Sequence, residues 1–168
     1  AIQAENYADT GRVALFTCNA DGTLTFDKVY ETGVQPDMVT FASNDSKILT
    51  ADEGEPRDGY GDGIIDPKGT VTIINLADQT VSQVDFTSYD NSDSREQLVE
   101  SGVILKKNTN PSVDFEPEYI AVGDKTAYVT LQEANAIAVI DLNQQSLTGV
   151  YSAGYEDYST CAVDIDKK

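Results

Sequence analysis

Histidine is absent from the 168 residues, and basic residues are few. Without imidazole the chain lacks a common general base and zinc ligand, so any catalysis would depend on carboxylates, hydroxyls or a hard metal ion. Eleven Lys and Arg stand against 29 Asp and Glu, which gives a formal net charge of −18. Such a field repels phosphate backbones and anionic headgroups and attracts cations. We therefore expect no nucleic-acid partner, and the acidity fits either general solubility or a specific cation role.

Long apolar runs are missing and cysteine is rare. No stretch of about 18 apolar residues occurs, so we expect no membrane-inserted segment. Cys18 and Cys161 lie far apart in the sequence and form a candidate disulfide in an oxidising compartment, although two free thiols would give the same pattern. Asn44 opens an Asn-Asp-Ser sequon on an expected turn and is a candidate glycosylation site of a secreted protein.

A repeated hairpin pattern organises the chain. Apolar and polar residues alternate with a period of two, and Asn, Asp and Gly interrupt each run after about five or six residues, which favours β-hairpins over helices. Three similar hairpins lie at 13–30, 70–86 and 137–151. A second kind of hairpin begins at Pro36 and again at Pro117. Two inner and two outer strands, repeated along the chain, are typical of a β-propeller blade.

We therefore predict an all-β fold: a partial β-propeller of four-stranded antiparallel blades, with about two and a half blades in one segment over 1–168. The predicted divisions are an outer hairpin of a first blade at 11–35, a second blade at 36–88 with an acidic insertion at 54–67, a connection at 89–116 and a third blade at 117–153. The connection is expected to hold a short helix that starts at a capping Ser94.

Closure of the predicted propeller requires more blades. Propellers typically close with about four to eight, so we expect the remaining blades of the parent chain, or another chain, to complete the ring. A sandwich in which the sheets fold back on one another is the alternative fold.

Acidic residues near the insertion form the main candidate site. Glycines alternating with acids let the backbone curl, so that oxygens can converge on calcium, which takes about six to eight oxygen ligands. Acids at the third blade repeat earlier ones, Glu133 matching Glu53 and Glu118 matching Asp37. The candidate calcium ligands are Glu53, Glu55, Asp58, Asp62, Asp66, Glu116, Glu118 and Glu133. The spacing departs from that of an EF-hand, and a soluble, flexible surface loop is the alternative interpretation.

Three tracts resemble the choice-of-anchor I proteins. They are the Glu-Gly-Glu-Pro-Arg-Asp-Gly-Tyr-Gly-Asp motif at 53–62, the segment 66–71 and the segment 116–142. That family includes mesenchyme-specific cell-surface glycoproteins of biomineralising animals and many secreted bacterial relatives. The resemblance implies a secreted or surface-attached propeller, in some members linked to calcium mineral. We expect a non-enzymatic surface or matrix protein whose acidic loops bind cations or mineral. Family members are considerably longer, which implies that the chain is a fragment.

The resemblance also leaves an enzymatic alternative open. Some bacterial relatives carry alkaline-phosphatase or phytase-like labels, so the alternative function is a metal-dependent phosphoesterase. No catalytic residue of the family carries over to a numbered position here, and none is predicted.

Overall fold

The computed structural model describes residues 1–61 and 63–160. Within these residues, ten strands form three antiparallel sheets: a first sheet of two strands, and second and third sheets of four strands each. The strands are β1 (Thr10–Cys18), β2 (Leu24–Val34), β3 (Pro36–Ala42), β4 (Lys47–Asp52), β5 (Thr70–Asn75), β6 (Val81–Val84), β7 (Pro117–Val122), β8 (Thr126–Leu131), β9 (Ala136–Asp141) and β10 (Ser146–Ser152). The second sheet has the order β3-β4-β5-β6, and the third sheet contains β7 to β10 in chain order.

Asn, Asp and Gln residues make the tight turns between neighbouring strands. Ser43, Asn44 and Asp45 have φ values of 54°, 53° and 62° in the turn between β3 and β4. Asn135 and Gln145 occupy the same left-handed region in turns of the third sheet. Asn and Asp tolerate this conformation better than most residues, so short polar turns connect most neighbouring strands of a sheet. The exception is the pair β4 and β5, which the acidic insertion joins.

The three sheets pack face to face, and the second sheet lies between the other two. A small apolar cluster of Val13, Tyr30, Ile48 and Ile74 joins the first sheet to the second. A larger cluster, which includes Leu49, joins the second sheet to the third. With both faces covered, β4 and β5 are buried over nearly all their length, which is why their sequences are apolar or threonine-rich without strict alternation.

Helices occupy the connection between the second and third sheets. A 3-10 helix spans Thr87–Tyr89, and α1 (Ser92–Glu100) and α2 (Pro111–Asp114) follow. The predicted cap at Ser94 is wrong, because α1 begins at Ser92 and the side chain of Asn91 accepts a hydrogen bond from the Ser94 amide. Both residue types are good caps, and here the earlier one is used.

The prediction of an all-β fold built from antiparallel sheets is confirmed. The sheets of the described residues form no closed barrel. The interpretation of these sheets as propeller blades, the blade count and the proposed divisions of the chain stay predictions.

Candidate functional site

Six acidic residues gather where β3 and β7 begin and β4 and β8 end. Asp37 is the second residue of β3 and Glu53 directly follows β4, and the two strands pair so that Pro36 lies opposite Asp52. In the third sheet, Glu118 is the second residue of β7, and Glu133 follows β8. The inner acid cluster consists of Asp37, Glu53, Glu55, Glu116, Glu118 and Glu133.

The carboxylates of this cluster act on one another across the two sheets. Burial, followed by the charges of Glu55 and Asp37, raises the pKa of Glu53 to about 7. Burial also raises the pKa of Glu118, with further contributions from Glu133 and Asp37. Like charges held close together disfavour ionisation, so a cation bound among them would be stabilised by the same field.

Lys106 supplies a positive charge beside the cluster. Its Nζ lies 2.9 Å from Tyr60 Oη, 3.1 Å from Glu116 Oε1 and 3.4 Å from Asp114 Oδ1. The ammonium also lies 4.1 Å from the centre of the Tyr60 ring. Burial opposes the charge, but hydrogen bonds with Tyr60 and Glu116 outweigh it and raise the pKa of Lys106 above its ordinary value. Tyr60 is in the acidic insertion, so these contacts tether the insertion to the segment before the third sheet.

Two carboxylate oxygens near Lys106 are buried without a hydrogen-bond partner among the described residues: Oδ1 of Asp66 and Oδ1 of Asp114. The other oxygen of Asp114 accepts a hydrogen bond of 2.6 Å from the backbone amide of Lys106. Burial raises the pKa of Asp66, with Lys106 opposing the shift and Asp114 adding to it. A cavity of about 30 Å³ beside Lys106 and Asp114 has room for one water molecule.

The structure brings five of the eight predicted calcium ligands together in the inner acid cluster. Asp66 is not among the carboxylates that act on Glu53 or Glu118; it lies beside Asp114 and Lys106. Asp58 is exposed in the insertion, and Asp62 falls outside the described residues. Among residues 1–61 and 63–160, no group of three or more Asp, Glu, Cys or His side chains is arranged to hold a metal ion. Calcium binding therefore stays a prediction, and it would require side-chain movement.

Two residues of the site were missed by sequence reasoning. Lys106 and Tyr60 stand in segments without a repeat, and their contact joins positions 46 residues apart. The one signal in the sequence was the charge of Lys106, which is opposite to that of the many acids: it is one of eleven basic residues in an acidic chain.

The predicted covalent modifications are not tested by the described residues. Cys18 is exposed at the end of β1, and Cys161 lies outside the described residues, so their disulfide stays a prediction. Asn44 is exposed in the turn between β3 and β4, and its glycosylation likewise stays a prediction.

Fold and site together define an acidic all-β protein of stacked antiparallel sheets with a carboxylate cluster where β3 and β7 begin. The family model of the choice-of-anchor I domain matches residues 1–168. The chain therefore belongs to the choice-of-anchor I family, as the resemblance predicted. Membership of this family indicates a protein attached to the cell surface or located outside the cell. Comparison with curated proteins gives no match.

The described part of the chain contains no helix with the length and apolar character needed to cross a membrane.

Proposed function

We propose that the three sheets are blades of an extracellular or cell-surface β-propeller that binds cations, calcium foremost, through the inner acid cluster. The protein acts in matrix, adhesion or mineral contacts and is not an enzyme. Further blades of the same or another chain complete the ring. The observation that carries this proposal is the gathering of carboxylates from two successive sheets, Glu53 from one and Glu118 from the next.

Strand order supports the propeller interpretation. Each four-stranded sheet is a simple meander, with strands adjacent in sequence also adjacent in space. The sheets stack face to face, and their first strands, β3 and β7, contact each other. Propeller blades are four-stranded meanders whose first strands surround a central channel. In this arrangement the inner acid cluster lies at one mouth of the channel.

Chemistry of the cluster supports a hard cation as the ligand. Carboxylates are the oxygen donors that calcium prefers, and calcium tolerates irregular geometry. Burial, and after it repulsion from neighbouring carboxylates, raises the pKa values of Glu53 and Glu118. A bound divalent ion offsets that repulsion. Because the donors must first move together, we expect an affinity like that of extracellular calcium modules, on the order of 10⁻⁴ to 10⁻³ M.

Calorimetric titration with calcium chloride tests this proposal. We expect saturable, stoichiometric binding to the unmodified chain and its loss in the double variant Glu53→Gln, Glu118→Gln. The matched control is Glu96→Gln, Glu100→Gln, which removes the same number of carboxyl groups from exposed positions of α1. Equal weakening in both double variants would show diffuse attraction to an acidic surface and refute a specific site. Absence of saturable heat in the unmodified chain would refute it as well.

A metal-dependent phosphoesterase remains the alternative function, and no observation in the described residues favours it. Such an enzyme needs basic groups that hold the phosphate. Lys106 is the basic residue beside the inner acid cluster. Its ammonium already donates hydrogen bonds to Tyr60 and Glu116, so it is engaged by the protein rather than free to hold a phosphate. Calcium-dependent hydrolysis of p-nitrophenyl phosphate that disappears on chelation would support the enzyme and overturn the non-enzymatic proposal.

A further inference from the structure

Glu116 connects the inner acid cluster to the tether of the insertion. Its side chain is 5% exposed, and its Oε1 accepts hydrogen bonds from Lys106 Nζ at 3.1 Å and from Tyr60 Oη at 3.3 Å. Burial is the main cause of the raised pKa values of Glu53 and Glu118, and the charge of Glu116 contributes to both. One carboxylate therefore interacts with the other acids of the cluster and with the ammonium that holds the insertion.

The equivalent position of the second sheet binds the insertion through a neutral side chain. Gln35 stands directly before β3, as Glu116 stands directly before β7. The buried amide of Gln35 donates a hydrogen bond to Glu55 O at 2.7 Å and accepts one from Glu55 N at 3.1 Å. A dissolved cation competes with an ammonium for a carboxylate but not with an amide for a peptide group. Of the two contacts with the insertion, the one made by Glu116 is therefore sensitive to cations.

A second acceptor for the Lys106 ammonium lies close by. Asp114 is 4% exposed, and its Oδ1 lies 3.4 Å from Lys106 Nζ with no hydrogen-bond partner among the described residues. Oδ1 of Asp66 is likewise buried without such a partner, and the charges of Lys106 and Asp114 both act on the Asp66 carboxyl. Because an unpaired buried carboxylate oxygen is unfavourable, a small movement of the ammonium from Glu116 to Asp114 replaces one hydrogen bond by another.

We propose that Lys106 is a built-in competitor for the cation site: a cation that binds the inner acid cluster displaces the ammonium from Glu116 toward Asp114. Displacement frees the Glu116 carboxylate as a ligand and removes from Tyr60 the ammonium that holds the insertion. Cation binding and release of the insertion are then coupled, so each changes the equilibrium of the other by the same factor. The inference rests on the proposed cation site and adds how its occupancy is regulated.

Electrostatics gives the direction of the effect of Lys106 on cation binding. An ammonium repels a divalent ion bound among neighbouring carboxylates, and the repulsion weakens with distance and with exposure to water. Lys106 Nζ lies 3.1 Å from a carboxylate of the cluster, whereas the neighbouring Lys107 is exposed. Removal of the charge of Lys106 should tighten calcium binding about tenfold, and removal of the charge of Lys107 should tighten it less than about twofold.

Calorimetric titration with calcium chloride at about pH 8 compares the unmodified chain with Lys106→Met and Lys107→Met. At that pH the carboxyl of Glu53, whose pKa is about 7, is mostly ionised. Methionine keeps most of the apolar stem of lysine and removes the charge, so Lys107→Met is the matched control. Unchanged or weaker binding by a folded Lys106→Met chain would refute the competition, and so would equal tightening in the two variants. Absence of saturable heat in the unmodified chain would instead refute the proposed cation site itself.

Tryptic cleavage after Arg57 reports release of the insertion without any change at Lys106. This measurement tests the proposal even where Lys106→Met lacks the strand signal in circular dichroism. Saturating calcium chloride should speed the cleavage of the unmodified chain about tenfold, because the tether to Tyr60 is lost.

Tyr60→Ala is the control for this measurement, since its insertion is already released. Calcium should leave its cleavage rate unchanged, whereas an effect of calcium on the protease, or on the contact of Arg57 with Glu55, would appear in both chains. Equal acceleration in both chains would refute the coupling. A calcium-saturated unmodified chain that is cleaved no faster than the calcium-free chain would refute it as well.

Discussion

Asp52 is a fully buried carboxylate between the first and second sheets, and it makes stability depend on pH. It accepts hydrogen bonds from the hydroxyls of Thr50, Thr70 and Thr72 at 2.7, 2.9 and 2.6 Å and from the Gly33 amide at 3.1 Å. Burial raises its pKa from the ordinary value of 3.8 to about 6, although the four hydrogen bonds oppose the shift. No basic side chain contributes to this shift.

The raised pKa of Asp52 determines the sign and the size of the change in unfolding free energy with pH. The folded chain holds the Asp52 proton more tightly than the unfolded chain does, so this group contributes its full stability below pH 3.8. That contribution is lost as the pH rises through about 6. At about 1.36 kcal/mol for each pKa unit, the gap between 3.8 and 6 corresponds to about 3 kcal/mol of unfolding free energy.

Urea unfolding of the unmodified chain and of Asp52→Asn, between about pH 4 and about pH 7, measures this contribution. The chain has no tryptophan, so tyrosine fluorescence and circular dichroism report the transition. We expect the unmodified chain to lose about 2.4 kcal/mol more than Asp52→Asn over this range, because part of the contribution is already lost at pH 4. Asp58→Asn, in the exposed insertion, should behave like the unmodified chain. If the unmodified chain and Asp52→Asn lost equal amounts of unfolding free energy, the pH dependence could not be assigned to Asp52.

Two further substitutions have defined outcomes. A Cβ at Gly33 would lie 2.1 Å from a threonine hydroxyl, so Gly33→Ala should lower the unfolding free energy by about 3 kcal/mol. In Gly123→Ala the nearest atom is 3.6 Å away, and a comparable loss in this control would contradict the steric explanation. Tyr60→Ala removes the tether of the insertion and should speed tryptic cleavage after Arg57 about tenfold. Tyr155→Ala, at an exposed position, should leave that cleavage rate unchanged, and an equal rise there would exclude the tether.

The strands could be predicted because their signals are local. β5 and β9 are short β-branched or apolar runs ended by Asp, Asn and Gln, and the prolines that open β3 and β7 mark equivalent strands. Helix α1 was found, but its start was misplaced because Asn91 and Ser94 are both good caps three residues apart. Local signals locate an element well and its ends less well.

The acid cluster could be predicted only in part. Glu53 and Glu133 follow equivalent strands, so the repeat alone placed them at the same end of their sheets. The tether of Lys106 to Tyr60 connects two irregular segments, whose path depends on the packing of both sheets rather than on local pattern. The burial of Asp66 beside Asp114 likewise depends on the packing of the sheets rather than on local pattern.

Because the second sheet is covered on both faces, it should resist local unfolding more than the first sheet does. In residues 1–61 and 63–160 one apolar cluster joins the first sheet to the second and another joins the second to the third, so opening at either end of the stack need not disturb the opposite end. The amides of β4 and β5 are shielded by packing on two sides, whereas those of β1 and β2 are shielded on one. In deuterated water, backbone protons of the first sheet should exchange early, and those of β4 and β5 should persist until the whole chain unfolds.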